Sequence, residues 1–313
     1  MKWFSVESAG LSVPKDWKDD PTRVVKVGWK GGSITGFNQS SRRCYVFPVL
    51  TPSGVGVTNE RSTNDHPFHQ SITVGNDYFF TYQTSAAGQF EDPPMCFYSN
   101  EVDMRGRGEG RIICTAQNEC TELSEDHLEM IMRMQWQGPE EGYSPKYRRV
   151  VAEEMRTISV FPGEVANIID VRSQLRPTMW DLRLGPSRHG YFTIRVADFL
   201  RPNANAGANL VDSEGREGED VIWQHSDWVD YYGKNSEGKT VGMAVFQFPS
   251  MGNVAWYAAT YGSIRVNPFR KGGTFVCRGE EVDVAVRVVA HDGDPFEAKI
   301  SELYNVFKEE TAL

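Results

Sequence analysis

In "HLEMIMRMQW", residues 127–136, Leu128, Met130, Met132, Met134 and Trp136 take every second position, while Glu129, Arg133 and Gln135 fall between them. Side chains alternate across a strand but recur every 3.6 residues on a helix, so this spacing predicts a strand with one buried face. "VDVAVRVVAH" repeats the pattern with Val282, Val284, Val286, Val288 and Ala290. "RVVKVGW", "CYVFPVL", "QSITV", "DYFFTY", "RTISVF", "YFTIRVA", "VGMAVFQF" and "GSIRV" are further strand candidates, separated by turn clusters such as "TPSG", "RPNANAG" and "GKNSEGK". The expected fold is therefore all-β: an antiparallel β-sandwich, taken as a single domain over residues 1–313, with no internal repeat.

One segment breaks the pattern. After Asp294-Pro295, the residues Phe296, Ile300, Leu303, Tyr304 and Phe307 recur at helical intervals. A C-terminal helix is expected over about 295–309, with Asp294 as N-cap, Pro295 in the first turn and Glu297 completing a capping box. "RPNANAGANLVDSEGREG", residues 201–218, has no periodicity and is too short to read as an interdomain linker.

Composition excludes several classes of function. A net charge of −9 and scattered basic residues argue against a nucleic-acid partner. No window reaches the ~18 apolar residues that span a bilayer, and the N-terminus has no apolar core of signal-peptide length, so no membrane partner and a cytoplasmic location are expected. Five cysteines without C-x-x-C spacing are read as reduced thiols, mostly core filler. No P-loop, G-x-G-x-x-G, G-x-S-x-G or H-E-x-x-H occurs, so no nucleotide cofactor is expected, and "RGRGEGR" (105–111) is read as a tight turn.

Three constellations can carry chemistry. "TNDHPFHQSI" places Asp65, His66 and His69 just before a strand, where loops position functional side chains. The two histidines suit acid/base work or, with Asp65, a divalent metal; the alternative is a turn in which Asp65 caps and the imidazoles bond to backbone. In "RHGYFTIRVADFLR", His189, Tyr191, Thr193 and Arg195 share one face, which either lines a substrate cleft with Arg195 binding an anion or is a solvated outer face. "VIWQHSDWVDYYG" crowds Trp223, His225, Trp228, Asp230, Tyr231 and Tyr232, and "FPSMGNVAWYAATYGSIRVNPF" adds Trp256, Tyr257, Tyr261, Arg265 and Asn267. Aromatic rings beside Asp and His suit a sugar-like ligand, and serve equally as core anchors.

"RRCYVFPVLTPSGVGVT", "DHPFHQS", "EDVIWQHSDWVDYYG" and "WYAATYGSIRVNPF", in this order, resemble the soluble PmoA-like domain family, over about Arg43 to Phe269. The resemblance implies a β-sandwich and a role near carbohydrate catabolism, not methane oxidation, which belongs to a membrane protein. It matches Asp65, His66 and His69 to an Asp/His-rich turn, with Phe68 where a further histidine is usual and Gln70 where an arginine is. Gln247-Phe248-Pro249 stands for an Asp-His-Pro element, and Trp256-Tyr257 with Thr260-Tyr261-Gly262 for Trp-His and Arg-Tyr-Gly.

The expected function is an enzyme, a hydrolase or lyase, acting on a small oxygen-rich, sugar-derived metabolite. His66, His69, Arg195 and His225 are the expected catalytic residues; Asp65, His189, Tyr191, Trp228, Asp230, Tyr231 and Tyr261 are the expected substrate contacts. The alternatives are a non-catalytic carbohydrate-binding sandwich stacking on Trp228, Tyr231 and Tyr261, and a metal-dependent oxygenase built on His66, His69 and Asp65. The partner is a small molecule; oligomerisation is left open.

Overall fold

The structure is a computed structural model and describes residues 2–10, 21–61, 66, 68–99, 107–116, 119–140 and 147–312. Its strands form three sheets. The first runs Phe4–Gly10, Pro21–Trp29, Gly32–Ser40, Tyr45–Val49, Ile72–Val74, Phe192–Arg195, Ser263–Val266, Tyr257–Ala259. The second runs Arg111–Cys114, His127–Glu140, Arg148–Phe161, Ala166–Pro177, Val282–Asp292, Thr240–Gln247, Trp228–Lys234, Asn209–Asp212, with Glu119–Ser124 also on His127–Glu140. A smaller third sheet is built on Phe79–Ser85 and Asp181–Leu184. Among the described residues these strands pair antiparallel except Met95–Cys96 with Gly108–Glu109, and one isolated bridge, Arg43 to Ile112, is also parallel. The fold is an all-β sandwich closed by one C-terminal helix.

Alternation dictates the packing. Leu128, Met130, Met132, Met134 and Trp136 are all buried, facing Phe37, Val46, Ile72, Phe192 and Ile194 of the first sheet in one core that also takes in Phe79 and Leu182 of the third. The strand Arg148–Phe161 puts Ala152, Glu154, Arg156, Ile158 and Val160 on that inner face, so a carboxylate and a guanidinium enter the core. They are fully partnered. Glu154 accepts from Arg156 Nε and Nη2 (both 2.8 Å), Trp136 Nε1 (2.7 Å) and the Ser173 hydroxyl (2.7 Å), and Ser173 is 2.9 Å from the Tyr191 hydroxyl.

Val282–Asp292 is buried on both faces. Its Val284, Val286, Val288 and Ala290 face the sandwich core, while Val289 joins Ala244, Phe246, Ile300 and Phe307 in a second cluster under the helix. A central strand covered on both sides has no solvated face, hence its nearly continuous apolar run. Arg287 ties the helix down, bonding Asp170 through Nε (2.8 Å) and Nη2 (2.9 Å) and Glu310 through Nη1 (3.1 Å).

The helix itself is Ile300–Thr311, five residues later at its start than expected. The capping box is present: the Asp294 carboxylate accepts from the N–H groups of Phe296 and Glu297 (both 2.9 Å), and Glu297 accepts from the Asp294 N–H (3.1 Å). It caps a separate turn, because Lys299 takes a left-handed φ of 56° and breaks the helical path, leaving Phe296 91% exposed. Asp294→Ala is expected to cost about 1 kcal/mol, read as a lowered midpoint in urea at unchanged slope.

Two further expectations are corrected. Cys44 and Cys96 are core residues, but Cys114 is half-buried and Cys120 and Cys277 are exposed. In the described part of "RGRGEGR", Gly108–Glu109 is strand and Arg111 opens another, and Gly110 between them serves close packing: a Cβ there would lie 2.3 Å from the Phe97 ring. Among the described residues no helix is long and apolar enough to cross a membrane.

Candidate functional site

The strands Phe192–Arg195, Ser263–Val266 and Tyr257–Ala259 lie side by side at one end of the first sheet. Phe192, Ile194, Ile264 and Val266 point into the core, so Thr193, Arg195, Ser263 and Arg265 point to the other face. Register sets Thr193 beside Arg265 and Arg265 beside Tyr257. Over this face lies a cavity of about 600 Å³, lined by His66, Phe68, His69 and Tyr98 together with Arg188, His189, Trp223, Tyr257, Tyr261 and Arg265.

Local sequence explains each placement. Tyr261 sits at the tip of a hairpin whose Ala259 and Ser263 pair; Gly262, at φ +84°, supplies the left-handed residue that this three-residue turn needs, and its N–H returns to Ala259 O (2.8 Å). His189 precedes Gly190, where a Cβ would lie 2.9 Å from Arg265 Cβ and 2.4 Å from Phe192 O, so only glycine lets the His189 segment lie against Arg265. Trp223 takes φ +61°, costly for a bulky residue. It is held by Trp223 N–H to Trp256 O (2.6 Å), Trp256 N–H to Gln224 O (2.8 Å) and the Arg270 guanidinium 3.5 Å over its ring.

His189 is the most elaborately held of the lining groups. Its Nδ1 donates to Asp77 Oδ2, its backbone N–H donates to the Ser187 hydroxyl (3.0 Å), and its carbonyl accepts from Asn267 Nδ2 (2.5 Å). Asp77, from the loop between Ile72–Val74 and Phe79–Ser85, also accepts from Ser187 and from Arg107 Nη1 (2.7 Å). Burial alone would raise the Asp77 pKa; the bond and charge of His189, with the bonds from Ser187 and Arg107, outweigh it and hold the carboxyl at about 2. In a neutral imidazole, a carboxylate accepting from Nδ1–H sets the lone pair on Nε2, the pattern that prepares the ring as a base.

His69 is a different kind of histidine. Burial first, and then the positive charges of Arg265, His66, Arg195 and Arg43, hold its pKa well below the ordinary range, so it is neutral. Its Nε2 is 2.9 Å from the Tyr98 hydroxyl, and its Nδ1 is buried without a hydrogen-bond partner. The Tyr98 ring in turn stacks on His189 at 4.7 Å. Arg265 Nη2 donates to the Tyr261 hydroxyl, and its guanidinium lies 4.5 Å over the Tyr257 ring.

The structure brings together only part of the expected set. His66, His69, His189 and Tyr261 line the cavity. Arg195 is fully buried one layer back, 5.5 Å from the Tyr261 ring, and the guanidinium facing the cavity from this sheet is that of Arg265. The solvated-face alternative for His189 to Arg195 also fails, since Thr193 and Arg195 are buried. Tyr191 turns into the core because the strand begins only at Phe192, so the alternation does not extend back to it. His225 is exposed, its Nδ1 bound to Asn253 O (2.9 Å). Trp228 packs under the helix, Tyr231 is a core residue bonded to Ala259 O (2.7 Å), and Asp230 pairs with His291 (3.0 Å); none of them lines the cavity. Asp65 lies outside the described residues.

The metal reading finds no support in this geometry. The His66 and His69 rings stack at 4.6 Å, nearly parallel at 8°, whereas two imidazoles on one metal converge on a point about 2 Å from each nitrogen. Among the described residues no group of three or more His, Cys, Asp or Glu side chains is placed to hold a metal. Sequence reasoning misses Tyr98, Arg188 and Asp77, and sees Trp223, Tyr257 and Arg265 only as members of aromatic runs.

A family profile described as a family of unknown function, DUF6807, matches residues 25–305. The chain belongs to DUF6807. This assignment replaces the PmoA-like resemblance, which no comparison supports. Phe68 and Gln70, the departures from that pattern, have local reasons: Phe68 packs edge-on against both His66 and His69, and Gln70 is buried 3.5 Å from Arg43 Nη2. No curated protein matches the DUF6807 chain. Among solved structures, a proposed aldose 1-epimerase from Klebsiella pneumoniae subsp. pneumoniae MGH 78578 is 11% identical, with 99% of this chain and 87% of that one covered at a TM-score of 0.39. A proposed mutarotase from Salmonella typhimurium is 13% identical, with 86% and 94% covered at a TM-score of 0.27. Neither likeness bears on the reaction.

Proposed function

We propose that this DUF6807 protein is an enzyme that moves protons on a small, oxygen-rich, sugar-derived molecule, with His189 as general base. The observation that carries this reading is the buried Asp77 carboxylate on His189 Nδ1, which aims the opposite ring edge at the 600 Å³ cavity. Tyr257 and Trp223, with ring centroids 4.9 Å apart, supply the aromatic surface on which the apolar face of a sugar-like ligand rests.

Of hydrolysis and elimination, the cavity favours elimination. Hydrolysis of a glycoside ordinarily uses two carboxylic acids, and none of the described lining residues is acidic. In an elimination His189 Nε2 takes a proton from carbon, the C–H electron pair becomes a C=C bond, and the bond to the neighbouring hydroxyl breaks. That hydroxyl takes the Tyr261 phenol proton and leaves as water. Arg265, bonded to Tyr261, stabilises the phenolate until it recovers the proton that His189 took, by way of solvent.

The test is proton NMR of the protein with a panel of sugars and sugar acids in D2O. Loss of one C–H signal with a dehydrated product, the enol or the deoxy-ketone it becomes on taking up a solvent deuteron, supports the reading. A panel that binds without exchange or dehydration overturns it in favour of a carbohydrate-binding protein.

A further inference from the structure

We infer that the substrate carries a carboxylate held between Arg188 and Arg265, placing the carbon next to that carboxylate at His189. The inference deepens the elimination reading and rests on it for the reacting carbon, but its binding claim is separable.

In a chain with 42 acidic and 33 basic residues, an arginine ordinarily finds a carboxylate. Arg172, Arg183 and Arg287 each do so with two bonds. Arg188 and Arg265 line the cavity and have no acidic partner among the described residues. Arg265 is half-buried, and its contacts are the hydroxyls of Tyr261 and Ser263 and the ring of Tyr257. None of these neutralises it. Leaving a guanidinium partly desolvated without an anion costs free energy, which a bound carboxylate offsets through paired N–H bonds. The positive field is felt in the cavity wall, where Arg265 is the largest charged contributor holding His69 neutral.

A carboxylate also answers a chemical requirement. A proton on an ordinary sugar carbon is far too weakly acidic for an imidazole to remove; next to a carboxylate whose charge is met by two arginines, the electron pair of the broken C–H bond is delocalised onto oxygen. The substrate class is therefore a polyhydroxylated acid.

Isothermal calorimetry with gluconate, glucose and glucose 6-phosphate as probes tests this on the intact protein. Gluconate is expected to bind more tightly than either other probe, and Arg188→Gln and Arg265→Gln are each expected to weaken it by roughly 10- to 100-fold. Arg188 is exposed, so its variant folds irrespective of the packing at Arg265. Glucose binding as tightly as gluconate, or gluconate unaffected in the Arg188 variant, overturns the inference; tighter binding of glucose 6-phosphate overturns the carboxylate in favour of a phosphate. His189→Ala should still bind gluconate, so a failure of the catalytic reading leaves this result standing.

Discussion

With a dehydrated substrate in hand, His189→Ala is expected to lower kcat by roughly 10⁴-fold, and Asp77→Asn by a comparable factor, while gluconate binding changes little. The second variant is the more informative. It presents an amide where a carboxylate stood; the imidazole then places its proton on Nε2, and the base loses its lone pair toward the cavity. A merely structural Asp77 would lower the amount of folded enzyme but leave kcat per folded molecule unchanged, and that outcome would sink the assignment.

Asp77 also makes a stability prediction. Its carboxyl is held at about 2 against an ordinary 3.8, so the native state binds fewer protons than the unfolded chain in that interval. The stabilisation is complete above pH 3.8 and is lost as pH falls through 2, by about 2 kcal/mol in all. Urea titrations of wild type and Asp77→Asn between pH 5 and 2 should converge toward the acid end. Parallel curves would mean that Asp77 is not ionised against His189 and Arg107.

The largest loss of stability is expected from Glu154→Ala. Four donors converge on this carboxylate inside the core, and removing it strands the Arg156 guanidinium, fully buried, with the Trp136 N–H and Ser173 hydroxyl. An uncompensated buried charge costs about 3–5 kcal/mol. Replacing both partners, as Glu154→Leu with Arg156→Met, removes the charges together and is expected to cost less than the single substitution. Urea unfolding of the single and double variants is the comparison; a double variant less stable than Glu154→Ala would mean that the pair contributes through packing, not through mutual neutralisation.

Glu154 and Arg156 also show where sequence reading stops. They occupy positions in the same alternation as Ile158 and Val160, so the pattern itself places them inward, yet charge argues for water. Only the meeting of Trp136, Ser173 and Tyr191 from distant parts of the chain supplies the partners that make burial tolerable. Tyr191 and Arg195 give the converse case. They look like members of one polar face, but the strand starts at Phe192, so Tyr191 turns inward, and the outer face at Arg195 is roofed over by Tyr261.

The sequence by itself determined the strands, because period two is a local property of extended backbone, and it determined the capped turn at Asp294, because a capping box closes within four residues. It also located the three histidines that line the cavity, His66, His69 and His189, and the aromatic segments around it. The tertiary structure alone decided which of these meet. Asp77 and His189 are separated by 112 positions and are joined by a hydrogen bond only because Ile72–Val74 pairs with Phe192–Arg195. Alternation fixes which side chains share a face; long-range strand pairing and the loops laid over that face decide whether it sees water, core or substrate.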